Sequence, residues 1–262
     1  MKRRSNWVGL MLLVLAAACG SSGPPTAPSP IVTPPVDPGP STPQPPTPPP
    51  PTLGITKILA FGDSMTAGTT SPAFVPFTLT AGRPESYPFK LQTLASARYT
   101  GQTIEVFNAG VPGETTVDGN ARFGGVLSES KPQAVLLMEG ANDLNHPTLS
   151  LDITSVTGRM EDMVRLATGR GMQVFLATIP PQRVGGRNAA APGLVDKYNG
   201  QLKVMAGKKG AIVVDVNALL PLSLIGQDGL HPTESGYQKL AEIWLDALKA
   251  KYETAPAPTV RR

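Results

Sequence analysis

The chain has 262 residues, a formal charge of +4 and a single cysteine. Three of its 23 basic residues lie in the first 18 positions, which hold no acidic residue, so the remainder carries 20 Lys and Arg against 19 Asp and Glu. A nearly neutral chain without a basic stripe is not expected to bind nucleic acid. One cysteine excludes an intrachain disulfide and a cysteine-based zinc site, so the core must hold the folded part together.

The N-terminal segment has the pattern of an export signal. Basic residues at positions 2–4 precede an apolar run over 7–18, which is shorter than the roughly 20 residues of a transmembrane helix. Small residues then lead to Cys19, which resembles the lipobox of bacterial lipoproteins, although Leu15 lies one place further from the cysteine than usual. We expect residues 1–18 to be a lipoprotein signal peptide, and a lipidated Cys19 to anchor the exported protein to a membrane, facing the periplasm or the cell exterior. Ordinary signal cleavage, leaving a free cysteine, is the alternative.

A proline-rich segment follows, with 15 prolines among the 28 residues of Pro24–Pro51. Such a segment cannot bury apolar surface and adopts extended, semi-rigid conformations. We expect residues 19–53 to be a tether, with a proline-rich recognition motif as the alternative. Residues 54–253 suit one domain, and residues 254–262 are expected to be a disordered tail.

Within the predicted domain, apolar runs alternate with stretches of helical spacing. The predicted strands are Ile58–Phe61, Ile104–Asn108, Ala134–Met138, Gln173–Thr178 and Ala211–Asp215. The predicted helices cover residues 86–98, 151–169, 193–208 and 234–251. Strands without strict alternation, separated by helices, predict an α/β fold with a five-stranded parallel sheet covered on both faces. Ligands of such sheets bind beyond the carboxyl ends of the strands.

The first candidate functional segment is Gly62-Asp63-Ser64, directly after the first predicted strand. Its position places Ser64 at the carboxyl edge of the sheet, where a hydroxyl could act as a nucleophile if a base took its proton. A helix N-cap is the plain alternative, because Asp63 or Ser64 could satisfy the first amides of the following helix.

Two further segments follow the second and third strands. Gly113 precedes an expected helix start, so its amide could point into the cleft and donate to an anion. Asn142, in Gly140-Ala141-Asn142-Asp143, could donate its side-chain amide to an oxyanion. A plain strand-to-helix turn and an Asn-Asp turn are the respective alternatives.

The fourth segment is Asp228-Gly229-Leu230-His231, before the last predicted helix. A separation of three residues on a loop lets the carboxylate reach imidazole Nδ1 and leaves Nε2 free to take a proton from Ser64. A surface histidine near a helix start is the alternative. The other histidine, His146, lies in a loop before Pro147 and is interpreted as non-catalytic.

Together the four segments resemble the SGNH, or GDSL-type, esterases and lipases, and most of all the arylesterase- and lysophospholipase-like members. The Gly-Asp-Ser-Leu block of that family is matched at residues 62–65, with Met65 in place of leucine. The later blocks are matched by Gly113, by Gly140 with Asn142 and Asp143, and by Asp228 with His231. The resemblance extends from residue 58 to about residue 250.

The resemblance implies a three-layer α/β/α sandwich and a complete catalytic set. Ser64 is implied to be the nucleophile, and its amide, the amide of Gly113 and the side chain of Asn142 the three oxyanion donors. His231 is implied to be the base, oriented by Asp228. Neither a metal nor a cofactor is implied. We expect a small ester substrate and no obligate protein partner.

The expected reaction is hydrolysis of carboxylic esters, such as acyl or aryl esters or a lysophospholipid, through an acyl-enzyme on Ser64. A carbohydrate O-acetylesterase and a thioesterase are alternatives with the same catalytic set, and a non-catalytic tethered binding module is a third. The ordinary α/β-hydrolase family is disfavoured, because its nucleophilic serine lies in Gly-x-Ser-x-Gly, whereas Ser64 is followed by Met65 and Thr66. The insert over residues 69–85 is expected either to line or cover the pocket or to be a packed loop.

Overall fold

The structure, a computed structural model, describes residues 49–68, 77–145 and 152–255. Its strands, in chain order, are β1 (Thr52–Leu53), β2 (Lys57–Gly62), β3 (Glu105–Gly110), β4 (Ala134–Met138), β5 (Gln173–Ala177), β6 (Ile212–Val214) and β7 (Glu253–Thr254). Its helices are α1 (Ser64–Ala67), α2 (Tyr87–Arg98), α3 (Thr116–Ser130), α4 (Ala141–Asn145), α5 (Ile153–Gly169), α6 (Leu194–Lys209), α7 (Val216–Leu219) and α8 (Glu234–Tyr252). A 3₁₀ turn covers Leu222–Leu224.

Five of the strands form a parallel sheet in the order β3-β2-β4-β5-β6. Strand β4 is buried along its whole length, as are five of the six residues of β2. Continuous burial explains the unbroken apolar runs in the sequence, since both faces of a covered parallel sheet must be apolar. The predicted α/β fold with a five-stranded parallel sheet is therefore confirmed.

Helices flank the sheet in two groups, completing the three-layer α/β/α sandwich. One group is α2 with α8, and the other is α3 with α5 and α6. On β2, Phe61 meets Phe123 of α3 edge to face, with ring centroids 4.8 Å apart. The sheet and the helix that follows β3 are thus joined close to the carboxyl end of β2.

The apolar spacing of residues 116–130 did not predict helix α3. The helix carries three glycines, Gly119, Gly124 and Gly125, and glycine weakens both helix propensity and the apolar pattern. Buried residues of α3, including Phe123 and Leu127, nevertheless pack against the core. Tertiary packing stabilises a helix that its own sequence signals weakly.

A two-stranded antiparallel ladder joins the two ends of the described fold. Thr52 pairs with Thr254 and Leu53 with Glu253, and Leu53 is buried. Contacts of the folded part thus extend to Thr52 and Thr254, just outside the predicted domain limits of residues 54 and 253. In the three described ranges, no helix combines the length and apolarity needed to cross a bilayer.

Candidate active site

Ser64 is the first residue of α1, at the carboxyl end of β2, the strand between β3 and β4. The N-cap of this helix is Asp63, whose Oδ1 accepts a hydrogen bond of 2.9 Å from the amide of Met65. Capping by Asp63 leaves the Ser64 hydroxyl available for another partner. Ser64 is only 4% exposed.

That partner is His231, which lies on the loop before α8. Nε2 of His231 lies 2.8 Å from Oγ of Ser64, and Nδ1 lies 2.5 Å from Oδ2 of Asp228. The loop is closed on itself by the Gly226 amide, which donates to the carbonyl of His231 at 2.7 Å. The structure therefore brings the three residues expected from the sequence into one hydrogen-bonded chain.

The other carboxylate oxygen of Asp228 is also occupied. Its Oδ1 accepts from the amides of Leu230 and His231, both at 3.1 Å. Burial raises the pKa of Asp228, but the hydrogen bonds from His231 and from these two amides outweigh it and leave the pKa below its ordinary value. Asp228 is therefore ionised at neutral pH and can accept from the imidazole.

The loop that carries Gly113 and the helix α4 that carries Asn142 follow β3 and β4, which are the two neighbours of β2 in the sheet. Gly113 has φ +80°, which favours glycine, and the space where a Cβ would stand is open. Nδ2 of Asn142 donates to the carbonyl of Glu114 at 2.8 Å, so α4 is joined to the loop that carries Gly113. An asparagine amide has two hydrogens, and the second remains for a ligand.

An ion pair that the sequence analysis missed holds the Gly113 loop. Arg122 of α3 donates from Nε and Nη2 to the carboxylate of Glu114, each at 2.5 Å, and from Nη2 to the carbonyl of Ala109 at 2.7 Å. Its guanidinium lies 4.0 Å from the ring centre of Phe61. No local motif indicates this contact, since residues eight apart are too far from each other to touch along a regular helix or strand.

Asp143 anchors the start of α3. It accepts from the amide of Thr116 at 2.8 Å and from the Thr116 hydroxyl at 2.7 Å. Arg159 of α5 lies 3.5 Å from the same carboxylate. Asp143 lies in α4, so its hydrogen bonds with Thr116 join α4 to the start of α3.

Glu139, at the end of β4, is a buried acid that the sequence did not single out. It is fully buried, and neither carboxylate oxygen has a hydrogen-bond partner among the described residues. Burial raises its pKa well above the ordinary value, and the nearby carboxylate of Asp63 adds to the increase. Burial also raises the pKa of Asp63, to about 7. Among the described residues, neither Asp63 nor Glu139 has an ion-pair partner, and both side chains are fully buried.

Some expectations fall outside the described residues. Cys19, His146 and residues 69–76 of the insert are among them, so the structure does not bear on lipidation, on the second histidine or on most of the insert. Within the three described ranges, no group of three or more His, Cys, Asp or Glu side chains is arranged to hold a metal ion.

A parallel α/β sheet with a serine, a histidine and an aspartate hydrogen-bonded in sequence at its carboxyl edge has the fold and site of a serine hydrolase. Within this class, the chain belongs to the GDSL-like lipase/acylhydrolase family, whose sequence model matches residues 60–239. This family assignment agrees with the resemblance found in the sequence.

The individual curated relatives have low sequence identity to this chain. The chain is 26% identical over 166 residues to a multidomain esterase of Ruminococcus flavefaciens, covering 62% of this chain and 22% of that protein. It is 29% identical over 125 residues to an arylesterase of Vibrio mimicus, covering 48% of this chain and 56% of that protein. The chain therefore spans between about a fifth and about half of the length of these curated relatives.

Solved structures share the fold. The lipase/acylhydrolase of Enterococcus faecalis superposes with a TM-score of 0.64 at 25% identity, over 78% of this chain and all of that one. An acetylxylan esterase of Geobacillus stearothermophilus superposes with a TM-score of 0.62 at 23% identity, over 75% of this chain and 95% of that one. At that identity the second likeness concerns the fold alone.

Proposed function

We propose that the protein is a serine esterase that hydrolyses carboxylic esters through an acyl-enzyme on Ser64. The observation that carries the proposal is the hydrogen-bonded chain from Ser64 through His231 to Asp228. A hydroxyl beside an imidazole whose other nitrogen is held by an ionised carboxylate is the arrangement that activates a serine. Membership of an acylhydrolase family supports the same reaction.

The first half of the reaction forms the acyl-enzyme. Oγ of Ser64 attacks the ester carbonyl carbon while Nε2 of His231 takes its proton, and Asp228 stabilises the resulting imidazolium. The tetrahedral oxyanion accepts hydrogen bonds from the amides of Ser64 and Gly113 and from Asn142. The carbon–oxygen bond to the alcohol then breaks, and His231 gives its proton to the leaving oxygen.

The second half releases the acid. Water loses a proton to Nε2 of His231 and attacks the acyl carbonyl, and the same donors hold the new oxyanion. The bond to Oγ breaks, and the proton on His231 returns to Ser64. Asp228 remains ionised throughout, since its hydrogen bonds hold its pKa low.

The decisive test is Ser64→Ala, measured with an aryl ester and with a serine-reactive fluorophosphonate. We expect ester turnover to fall by at least about 10³-fold and labelling to disappear, because removing a triad member leaves only the oxyanion donors. Ser223→Ala, which removes a hydroxyl from the 3₁₀ turn, is the matched control and should retain both. Undiminished turnover by pure, folded Ser64→Ala protein would end the proposal.

For the substrate, we propose acyl or aryl esters before acetylated sugars or thioesters. The likeness of the Gly-Asp-Ser-Met block to arylesterase-type members and the arylesterase relative support this preference. A second candidate is a carbohydrate O-acetylesterase, which the fold likeness to an acetylxylan esterase brings in. Values of kcat/KM for aryl esters of graded acyl length, acetylated xylo-oligosaccharides and an acyl thioester decide between them.

We also propose that the protein is exported and anchored by a lipid on Cys19. The basic start, the short apolar run and the single cysteine at its small-residue end support this. We expect Cys19→Ser to abolish incorporation of labelled palmitate and to move the protein out of the membrane fraction, with Ser22→Ala as the unaffected control. Equal palmitate incorporation by both variants would exclude Cys19 as the lipidation site.

A further inference from the structure

The loop that connects β5 to α6 packs against the loop that carries Asp228. The amide of Arg183 donates to the carbonyl of Gly229 at 2.9 Å, and the amide of Asn188 donates to the carbonyl of Asp228 at 2.8 Å. The two backbones touch at Gly186, where an added Cβ would lie 2.4 Å from Cα of Gly229. Any displacement of one loop therefore moves the other.

One side chain of this loop reaches the triad acid. Nδ2 of Asn188 donates to Oδ2 of Asp228 at 3.2 Å, and this is the oxygen that also accepts from Nδ1 of His231. The other oxygen is already occupied by two backbone amides of its own loop. Asn188 is therefore the side chain from outside the Asp228 loop that fixes the direction of the catalytic carboxylate, as far as the described residues extend.

The same residue is tied to the opposite side of the site. The carbonyl of Asn188 accepts a hydrogen bond from Nδ2 of Asn145, the last residue of α4. Asn142, the proposed oxyanion donor, lies in the same five-residue helix. A continuous hydrogen-bonded path thus runs from the helix of the oxyanion donor through Asn145 and Asn188 to Asp228.

We propose that Asn188 is a positioning residue for the triad, which holds Asp228 in line with His231 and couples the acid loop to the helix that carries Asn142. The inference rests on the proposed esterase function. Because Asn188 donates a neutral hydrogen bond to a carboxylate that must remain ionised, it both orients this carboxylate and disperses its charge. It touches neither substrate nor the reacting atoms.

The test uses Asn188→Asp, which keeps the size of the side chain and removes the donor. At pH 8 the introduced carboxylate faces the carboxylate of Asp228, so we expect kcat to fall by roughly 10- to 100-fold with KM within threefold of wild type. At lower pH a larger fraction of the introduced carboxyl is protonated, and its protonated form donates again. The ratio of wild-type to variant kcat should therefore narrow at least threefold between pH 8 and pH 5.5.

The side chains of Arg183 and Tyr237 also lie close to the loop that carries Asp228. The guanidinium of Arg183 donates to the carbonyl of Ile225. Burial, with contributions from Asp63 and Asp228, raises the pKa of Tyr237 far above the tested range. A purely structural role for Asn188 would lower kcat equally at both pH values.

The matched control is Asn217→Asp, which removes an amide donor from another half-buried loop contact, the hydrogen bond to the carbonyl of Ile179. It should leave kcat within twofold at both pH values. If Asn188→Asp also stays within twofold while Ser64→Ala is inactive, the esterase function stands and the role of Asn188 is refuted. If Ser64→Ala is fully active, the esterase function itself fails.

A double-mutant cycle tests the coupling and guards against misfolding of the first variant. Asn145→Ala and Asn188→Ala are each expected to lower kcat by about three- to tenfold, and the double variant should lose little more than the worse single variant, because both act through one path. Fully additive losses would refute the coupling. Thermal unfolding of each variant separates loss of fold from loss of alignment.

Discussion

Asn142 is the proposed side-chain donor to the oxyanion. One of its amide hydrogens is used within the protein, in the 2.8 Å bond to the carbonyl of Glu114, and this bond fixes where the second hydrogen points. A donor held in advance costs no reorganisation when charge develops on the carbonyl oxygen. Its contribution should therefore appear in the chemical step and not in substrate binding.

We expect Asn142→Ala to lower kcat by about 10²–10³-fold and to leave KM nearly unchanged, the loss typical of one oxyanion donor. Steady-state kinetics with an activated aryl ester give both constants. Asn217→Ala, which removes an asparagine donor outside the site, should keep full activity. A rise in KM with unchanged kcat would place Asn142 in ground-state binding instead.

Helix α3 holds the loop that follows β3 in place. Its Arg122 joins the buried carboxylate of Glu114 to the carbonyl of Ala109 at the carboxyl end of β3. The side chain of Glu114 is 3% exposed, so its charge depends on this one partner. Gly113 immediately precedes Glu114, and the loop geometry at the proposed oxyanion donor is thereby linked to the ion pair.

Arg122→Met keeps most of the aliphatic stem over Phe61 and leaves Glu114 buried without a counter-charge. We expect the free energy of unfolding in urea to fall by roughly 3 kcal/mol, as for other broken buried pairs. Adding Glu114→Gln should recover at least half of this loss. Arg165→Met, which breaks an exposed pair with Asp162, should cost less than about 1 kcal/mol. Equal losses for the two arginines would contradict the argument.

The sequence predicted the strands better than the contacts that surround the site. Strand β4 (Ala134–Met138) was located to the residue, and the other four strands of the parallel sheet to within two residues at each end, because a covered parallel strand appears as one apolar run between polar segments. Ser64, Gly113, Asn142, Asp228 and His231 could be chosen because each follows a strand or precedes a helix. The role of Asn188 could not be predicted, since its partner is 40 residues away and only the folded loops bring them together.

At the carboxyl edge of the sheet, the buried carboxyl groups outnumber the arginines that pair with them. In the described part of the chain, four buried carboxyl groups follow the ends of three neighbouring strands, β2, β3 and β4: Asp63, Glu114, Glu139 and Asp143. Two arginines, Arg122 and Arg159, pair with Glu114 and Asp143. Asp63 and Glu139 have raised pKa values, because burial disfavours their charged forms. The carboxylates of Glu114 and Asp143 add to the increase at Asp63, and the carboxylate of Asp63 adds to the increase at Glu139. The edge that supports the site should therefore become less stable as pH rises.

The sign of this effect follows from proton binding. The unfolded chain releases the proton of Asp63 near the ordinary pKa of 3.8, whereas the folded protein keeps it until about pH 7. Between these values the native state binds more protons, so the contribution of Asp63 to stability is fully present below pH 3.8 and is lost as pH rises towards 7. Asp63→Asn keeps an oxygen for the cap on Met65 and cannot ionise, so it escapes this loss.

We therefore expect the free energy of unfolding of Asp63→Asn, relative to wild type, to be more favourable at pH 8 than at pH 5 by at least about 1 kcal/mol. Its absolute value at pH 5 can lie below wild type, because the new amide is buried beside an oxygen position that has no partner. Glu139→Gln should change in the same direction, and the exposed Asp162→Asn should show no pH-dependent difference. Urea unfolding at the two pH values measures all three. If the difference in free energy of unfolding between Asp63→Asn and wild type were the same at pH 5 and pH 8, the raised pKa of Asp63 would be refuted. Asp63 would then be ionised in the folded protein at both pH values.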